Sequence, residues 1–314
     1  MRGIGPVTPD DPRPVTEPDH FHPDLRRVGR WLPRAPVGPR SLGPIRALTR
    51  LTSRKPPSGV TVEPVGSASV RVQGPRSAGA PRPALLWIHG GGYVIGSAAQ
   101  DDGTGRYFAE QLGVVVAAVD YRLAPEHPFP TPLHDCYDAL AWLARQPYVD
   151  PTRLAVGGAS AGGGLAAALA LLVRERGELQ LAFQLLSYPM LDDRTALRTD
   201  IDETRFRLWN NKSNRFGWQS YLGVPPGSPD VDGLAAPARY EDLSGLAPAW
   251  LGVGTLDLFH DEGLAYASRL RQAGVACDLD VVPGAFHGFD SITKAGVSQA
   301  YRSAQATALA AALR

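Results

Sequence analysis

From Val60 onward two hydrophobic patterns alternate along the chain. Val60–Val65 and Ser69–Gln73 are β-rich and partly alternating, which predicts an opening hairpin. Nearly continuous apolar runs follow at Ala84–His89, Val114–Asp120, Leu154–Gly158, Phe183–Tyr188, Ala249–Gly254 and Leu279–Pro283. Between and after them lie stretches with helical spacing: Thr104–Leu112, Leu133–Arg145, Ala161–Arg176, Asp261–Ala273 and Ser298–Leu313. Strands that are apolar on both faces, alternating with helices, predict a mostly parallel sheet covered on both sides, an α/β fold. In such sheets ligands bind at the carboxyl ends of the strands.

Two regions break the rhythm. About 60 residues separate the strand ending near Tyr188 from the one starting near Ala249, well beyond ordinary loop lengths. That interval holds Trp209, Phe216, Trp218 and Tyr221, so it is expected to fold, with Thr195–Leu222 forming helices above the sheet. The other region is Met1–Pro57, which carries 12 of the 29 prolines and whose first 20 or so residues are expected to be mobile. It contains two short amphipathic candidates. Asp24–Leu32 places Leu25, Val28 and Leu32 on one face, and Ile45–Leu51 lines up Ile45, Leu48 and Leu51 with Arg46 and Arg50 turned elsewhere. Both need a surface to lie on, and with the later insertion they would form a lid. The division expected is an arm at 1–57, a catalytic domain at 58–194 and 237–314, and a cap insertion at 195–236.

Composition narrows the function. The 314 residues suffice for a sizeable core, and 32 basic against 31 acidic residues leave a net charge of +1. No single-sign field is available for nucleic acid or for a polybasic membrane contact. The longest apolar run, Leu165–Val173, is too short to span a bilayer, and Pro and Arg interrupt every candidate leader segment near the N-terminus. Cys136 and Cys277 cannot make a disulfide framework or a four-ligand zinc site and read as buried reduced thiols. A cytoplasmic protein is expected, with no metal.

The candidate chemistry gathers at three places. Gly158-Ala159-Ser160-Ala161-Gly162 is a GxSxG between an apolar run and a long Ala/Leu helix, the strand–turn–helix setting of a nucleophile elbow. Small neighbours suit a serine held on a sharp, strained turn beside a helix N-terminus. His89-Gly90-Gly91-Gly92 ends an earlier strand, and three glycines there make sense where backbone N–H groups approach a developing oxyanion. A dinucleotide fingerprint fits poorly, because its third glycine would fall on Ile95. A serine nucleophile needs a base and an orienting acid. Of the seven histidines only His287 follows the last apolar strand, and Asp257 sits just past the strand before it. Asp261 and Glu262 suit the start of the next helix. The order Ser160, Asp257, His287 is that of α/β-hydrolases.

The chain resembles the hormone-sensitive lipase family, the bacterial family IV esterases. The resemblance rests on His89–Gly92, on Tyr121-Arg122-Leu123-Ala124-Pro125-Glu126-His127-Pro128-Phe129-Pro130, on Ala159–Gly163, on Tyr188-Pro189, on Asp257 with Asp261-Glu262-Gly263, and on His287-Gly288-Phe289. It implies an α/β-hydrolase fold with a helical cap and a carboxylester hydrolase that needs no cofactor. It further implies the triad Ser160, Asp257 and His287, with oxyanion donors at the N–H groups of Gly91, Gly92 and Ala161. Ala159 stands where the family usually has Asp or Thr. Trp209 and Trp218 are candidate pocket walls, and short to medium acyl chains are expected. The partner expected is a small-molecule ester; a homodimer is left open, and neither nucleic acid nor stable membrane insertion is expected. Two alternatives remain, an arylamide deacetylase using the same triad and a non-catalytic small-molecule receptor on the same fold.

Overall fold

A computed structural model describes residues 21–32, 34, 37–52, 55–76 and 80–314. The expected mobility of the first 20 or so residues lies outside them. Eight strands form one sheet: β1 (Thr61–Val65), β2 (Ala68–Gln73), β3 (Arg82–Ile88), β4 (Val115–Asp120), β5 (Val149–Ala159), β6 (Phe183–Ser187), β7 (Ala249–Leu256) and β8 (Cys277–Phe286). Their order is β1-β2-β4-β3-β5-β6-β7-β8. The β1–β2 and β2–β4 pairs are antiparallel, and every other pair is parallel. Consecutive residues Ala84–Ile88, Val115–Val119 and Phe183–Ser187 are all buried. Side chains alternate faces along a strand, so unbroken burial means both faces are covered.

Covering helices are α3 (Asp102–Leu112), α4 (Thr131–Ala144), α5 (Ala161–Arg176), α7 (His260–Gln272) and α8 (Gly296–Ala312). Here α3 packs on α8 and α4 on α5. Residues Ala161–Val173 of α5 are buried throughout, which fixes the elbow helix in the core. β5 and β8 run longer than their apolar runs, because β5 starts at Val149 and β8 continues to Phe286. That extension carries β8 to the residue before His287.

The interval between β6 and β7 holds three 3-10 turns, Asp193–Leu197, Glu203–Arg205 and Pro237–Arg239, and one longer helix, α6 (Asn211–Leu222). The N-terminal segment contributes α1 (Arg26–Trp31) and α2 (Pro39–Thr52). These distant segments are stitched together by hydrogen bonds. Val37 N–H donates to Ser213 Oγ at 2.8 Å, Asn210 Nδ2 to Arg34 O at 3.1 Å, and Arg207 Nε to Gly29 O.

α2 departs from expectation. Leu48 and Leu51 are 64% and 60% exposed, and only Ile45 of that row packs inward. Arg46, expected to face elsewhere, is the anchor instead. Its Nε donates to Val94 O at 2.7 Å, its Nη2 to Ala124 O at 2.5 Å, and its Nη1 to both oxygens of Glu126 at 2.7 and 2.8 Å. A planar guanidinium satisfies several acceptors at once, which fixes the face of α2 that Arg46 shares.

Candidate active site

Ser160 ends β5 and opens α5 with φ 58° and ψ −122°, a conformation that L residues avoid unless their surroundings impose it. The surroundings do so. Ser160 N–H donates to Ser187 O at 2.9 Å, and Ser160 O accepts from Gly164 and Met190 N–H at 3.0 Å each. Only glycine fits at 162, where a Cβ would lie 2.0 Å from Ile88 O and 2.5 Å from His89 O. The GxSxG glycines therefore let the end of β3 lie against the elbow. Beside them the His89–Gly92 loop reaches Ser160: a Cβ on Gly90 would be 3.3 Å from Ser160 Cβ.

Asp257 follows β7 directly, and His287 follows β8. His287 Nδ1 is 2.9 Å from Asp257 Oδ2, and His287 Nε2 is 2.9 Å from Ser160 Oγ. Asp257 Oδ1 accepts from Phe259 N–H at 2.9 Å, so both its oxygens are engaged, and its side chain is fully buried. A carboxylate on Nδ1 fixes the proton there and leaves Nε2 as the acceptor for the serine hydroxyl. The N–H groups of Gly91, Gly92 and Ala161 take no acceptor among the described residues. Gly91 and Gly92 have φ of 128° and 58°. Ala161 directly follows Ser160, and Gly91 and Gly92 follow Gly90, whose Cβ position lies beside the serine; free N–H groups so placed are of the kind that can stabilise an oxyanion.

His89, which precedes the glycines, braces their loop. It is fully buried, its ring stacks on Tyr121 at 4.2 Å, and its Nδ1 is 2.8 Å from Gly90 O. Nδ1 facing a carbonyl must carry the proton. Burial pushes the imidazole pKa down, opposed by Asp120, so the ring is held neutral.

The two tryptophans separate. Trp209 lies at the site: its ring centroid is 6.4 Å from that of His287, and a Cβ on Gly92 would be 2.1 Å from its Cη2. Trp218 does not. It is fully buried beside Tyr93, at 5.3 Å, and Tyr221, in packing behind the glycine loop. Two further rings embrace His287: Tyr188 edge-on at 4.9 Å and Phe259 edge-on at 5.2 Å. Tyr188 stood out in the sequence only as part of a Tyr-Pro pair, and Phe259 carried no signal.

Asp261 and Glu262 also part company. Asp261 pairs with Arg198 at 2.7 Å on the surface. Glu262 is not a helix-end charge in solvent. Buried, it accepts from Leu191 N–H at 2.7 Å and pairs with the Thr195 hydroxyl, and burial pushes its pKa up to about 8. It ties α7 to the start of the β6–β7 insertion. Cys136 and Cys277 are free and buried, and burial raises both thiol pKa values. Among the described residues no helix is long and apolar enough to cross a membrane.

The alpha/beta hydrolase fold family matches residues 85–291. The esterase LipI of Mycobacterium tuberculosis is 34% identical over 236 residues, covering 72% of each chain. An ethyl acetate hydrolase of Pseudomonas putida is 39% identical over 210 residues, covering 66% of this chain and 65% of its own. Among solved structures, a bacterial heroin esterase superposes with a TM-score of 0.85 at 39% identity, covering 94% of this chain and 98% of its own.

Proposed function

The chain belongs to the alpha/beta hydrolase fold family, in its hormone-sensitive lipase-like branch, and on that premise we infer that it is a serine carboxylester hydrolase of short- to medium-chain acyl esters. What carries the reading is the unbroken relay from Asp257 through His287 to Ser160, two contacts of 2.9 Å, beside three unengaged backbone donors. Ser160 Oγ attacks the ester carbonyl while His287 Nε2 takes its proton. The C=O electron pair moves onto oxygen, where the N–H groups of Gly91, Gly92 and Ala161 stabilise it. When the tetrahedral intermediate collapses, His287 gives the proton to the departing alcohol. A water, deprotonated by the same imidazole, then releases the acid and restores the serine.

The acyl-length part rests on the Trp209 indole seated on Gly92, which narrows the space beside the oxyanion donors, and on the small acyl group of the Pseudomonas putida relative's ethyl acetate. Thr195–Leu222, with the N-terminal helices, serves as the lid. A reduced cytoplasmic setting suits the two free buried thiols.

An ester series from C2 to C16 with matched arylamides tests the reading. Esters up to about C8 should turn over fastest and amides slowly, since the triad logic is shared and leaving-group chemistry separates them. Ser160→Ala should lose about 10⁴- to 10⁶-fold in rate with the fold intact. An organophosphate should label Ser160 alone. A Ser160→Ala protein within tenfold of wild type would overturn the reading, and faster amide than ester turnover would shift it to a deacetylase.

A further inference from the structure

Outside the catalytic constellation, α1, the second 3-10 turn and Arg207 just past it line a cavity of about 400 Å³. Its walls carry Arg26, Arg30, Arg34, Arg205 and Arg207 over the ring of Phe21, together with Thr204. None of these five arginines is in an ion pair among the described residues. Among the described residues the nearby carboxylates make hydrogen bonds to neighbouring groups, and Asp202 also acts electrostatically on Arg205 and Arg34. Asp202 accepts from Thr204 N–H and hydroxyl at 2.9 and 3.0 Å, Glu203 from Asn211 N–H at 2.6 Å, and Asp24 from Val297 N–H at 2.9 Å.

Arg207 is the informative member. It is only 7% exposed, and a buried charge without a counter-charge is unfavourable. Its Nε donates to Gly29 O, its Nη1 to Thr204 O at 3.3 Å and Phe206 O at 2.7 Å, and its guanidinium lies 4.8 Å from the centre of the Phe21 ring. Nη2 has no partner among the described residues. Backbone carbonyls thus hold Nε and Nη1, and the same guanidinium lines the cavity with Nη2 unengaged. Burial and the charges of Arg34 and Arg205 depress its pKa, which marks the crowding of like charge. Arg26 and Arg30, one helical turn apart, line the same cavity.

We propose that this cavity is a binding site for a phosphate group, either a free phosphate monoester or a phospholipid headgroup. A single carboxylate is matched by one guanidinium fork. Several guanidiniums lining one cavity suit a tetrahedral dianion, whose oxygens can accept from more than one arginine.

The test uses the full chain in low-salt buffer free of other multivalent anions. Inorganic phosphate should bind saturably and raise the melting temperature, because it relieves repulsion present only in the folded state. Chloride at equal ionic strength should not. Arg30→Gln with Arg205→Gln, both outside the catalytic machinery, should weaken phosphate by about tenfold or more while ester turnover persists. Arg207→Lys, which keeps the charge but not the fork, should weaken it as well. Glycerol phosphate binding as inorganic phosphate does would assign the source to soluble monoesters. Flotation with phosphatidate vesicles but not with pure phosphatidylcholine, on top of inorganic phosphate binding, would assign it to the headgroup. Absence of saturable phosphate binding, phosphate binding undiminished in the double variant, or vesicle binding without inorganic phosphate binding would each overturn the proposal.

Discussion

Gly92 and Trp209 meet face to face, and each limits what the other position accepts. At φ 58°, with the indole where a Cβ would go, Gly92→Ala must displace either the loop or the ring. On the proposed role of its N–H as an oxyanion donor, whose loss costs about 10² to 10³ in kcat, Gly92→Ala should fall by that order with KM little changed. Trp209→Ala acts in the opposite sense on selectivity. It should move the ester optimum to longer acyl chains, while losing about 3–5 kcal/mol of stability as a buried aromatic deletion. Trp209→Phe should retain most of both. Chain-length profiles and melting curves of the three variants check this. At this scale the sequence was legible where chemistry forces local composition. Small residues around Ser160 and the glycine run after His89 signal backbone crowding. Tyr188 and Phe259 around His287 were not legible, because their seats depend on how loops after β6 and β7 return to the sheet edge.

Elements were legible wherever burial is two-sided. Each of the six runs read as strands became a strand with a parallel neighbour, while the longest apolar run, Leu165–Val173, is the buried core of helix α5. The amphipathic stretch at Ile45–Leu51 misled because periodicity shows which residues share a face, not which face finds a partner. Arg46→Ala should release α2: losing charged hydrogen bonds to Val94, Ala124 and Glu126 costs about 2 kcal/mol. Limited proteolysis within 39–52 should accelerate, and Arg46→Lys should not restore protection because an ammonium cannot span those acceptors. Glu262 makes a second element-scale prediction. Its pKa is about 8 in the fold, against 4.5 for an ordinary glutamate. Below 4.5 both folded and unfolded states hold the proton. Between 4.5 and 8 the unfolded chain releases it and the fold keeps it, so this group's contribution to stability falls as pH rises. Glu262→Gln should therefore flatten that slope, and its melting temperature should gain on wild type from pH 5 to pH 8.5. A parallel pair of melting curves would refute the assignment.

For the molecule as a whole, the Pro-rich N-terminal segment was the part read least well, and its role is split. Its beginning, from Phe21, belongs to the core rather than to a detachable cover. Phe21 packs edge-on against Phe286 at 5.8 Å, His22 N–H donates to Gly284 O at 2.8 Å, and Leu25 is fully buried. The spacing of Leu25, Val28 and Leu32 showed a helical face but not that its seat is the core, and Phe21, between His20 and His22, has no period to read. These contacts grip the end of β8, the strand that delivers His287, whereas α2 contacts the loop after the glycine run through Arg46. Deleting residues 1–43 should therefore do more than open a lid. Three buried apolar side chains, Phe21, Leu25 and Val37, are lost, the first two worth about 2–5 kcal/mol each, enough to consume much of a typical domain's stability. The truncated protein should melt well below the full chain. At low temperature, with the sheet still formed, Ser160 should still react with an organophosphate, but more slowly, since the support of Phe286 behind His287 is gone. Restoring Phe21–Gly43 alone should recover both melting temperature and labelling rate. If the 1–43 deletion melts like the full chain, Phe21 and Leu25 are ornaments on an independent core and this account of the segment fails.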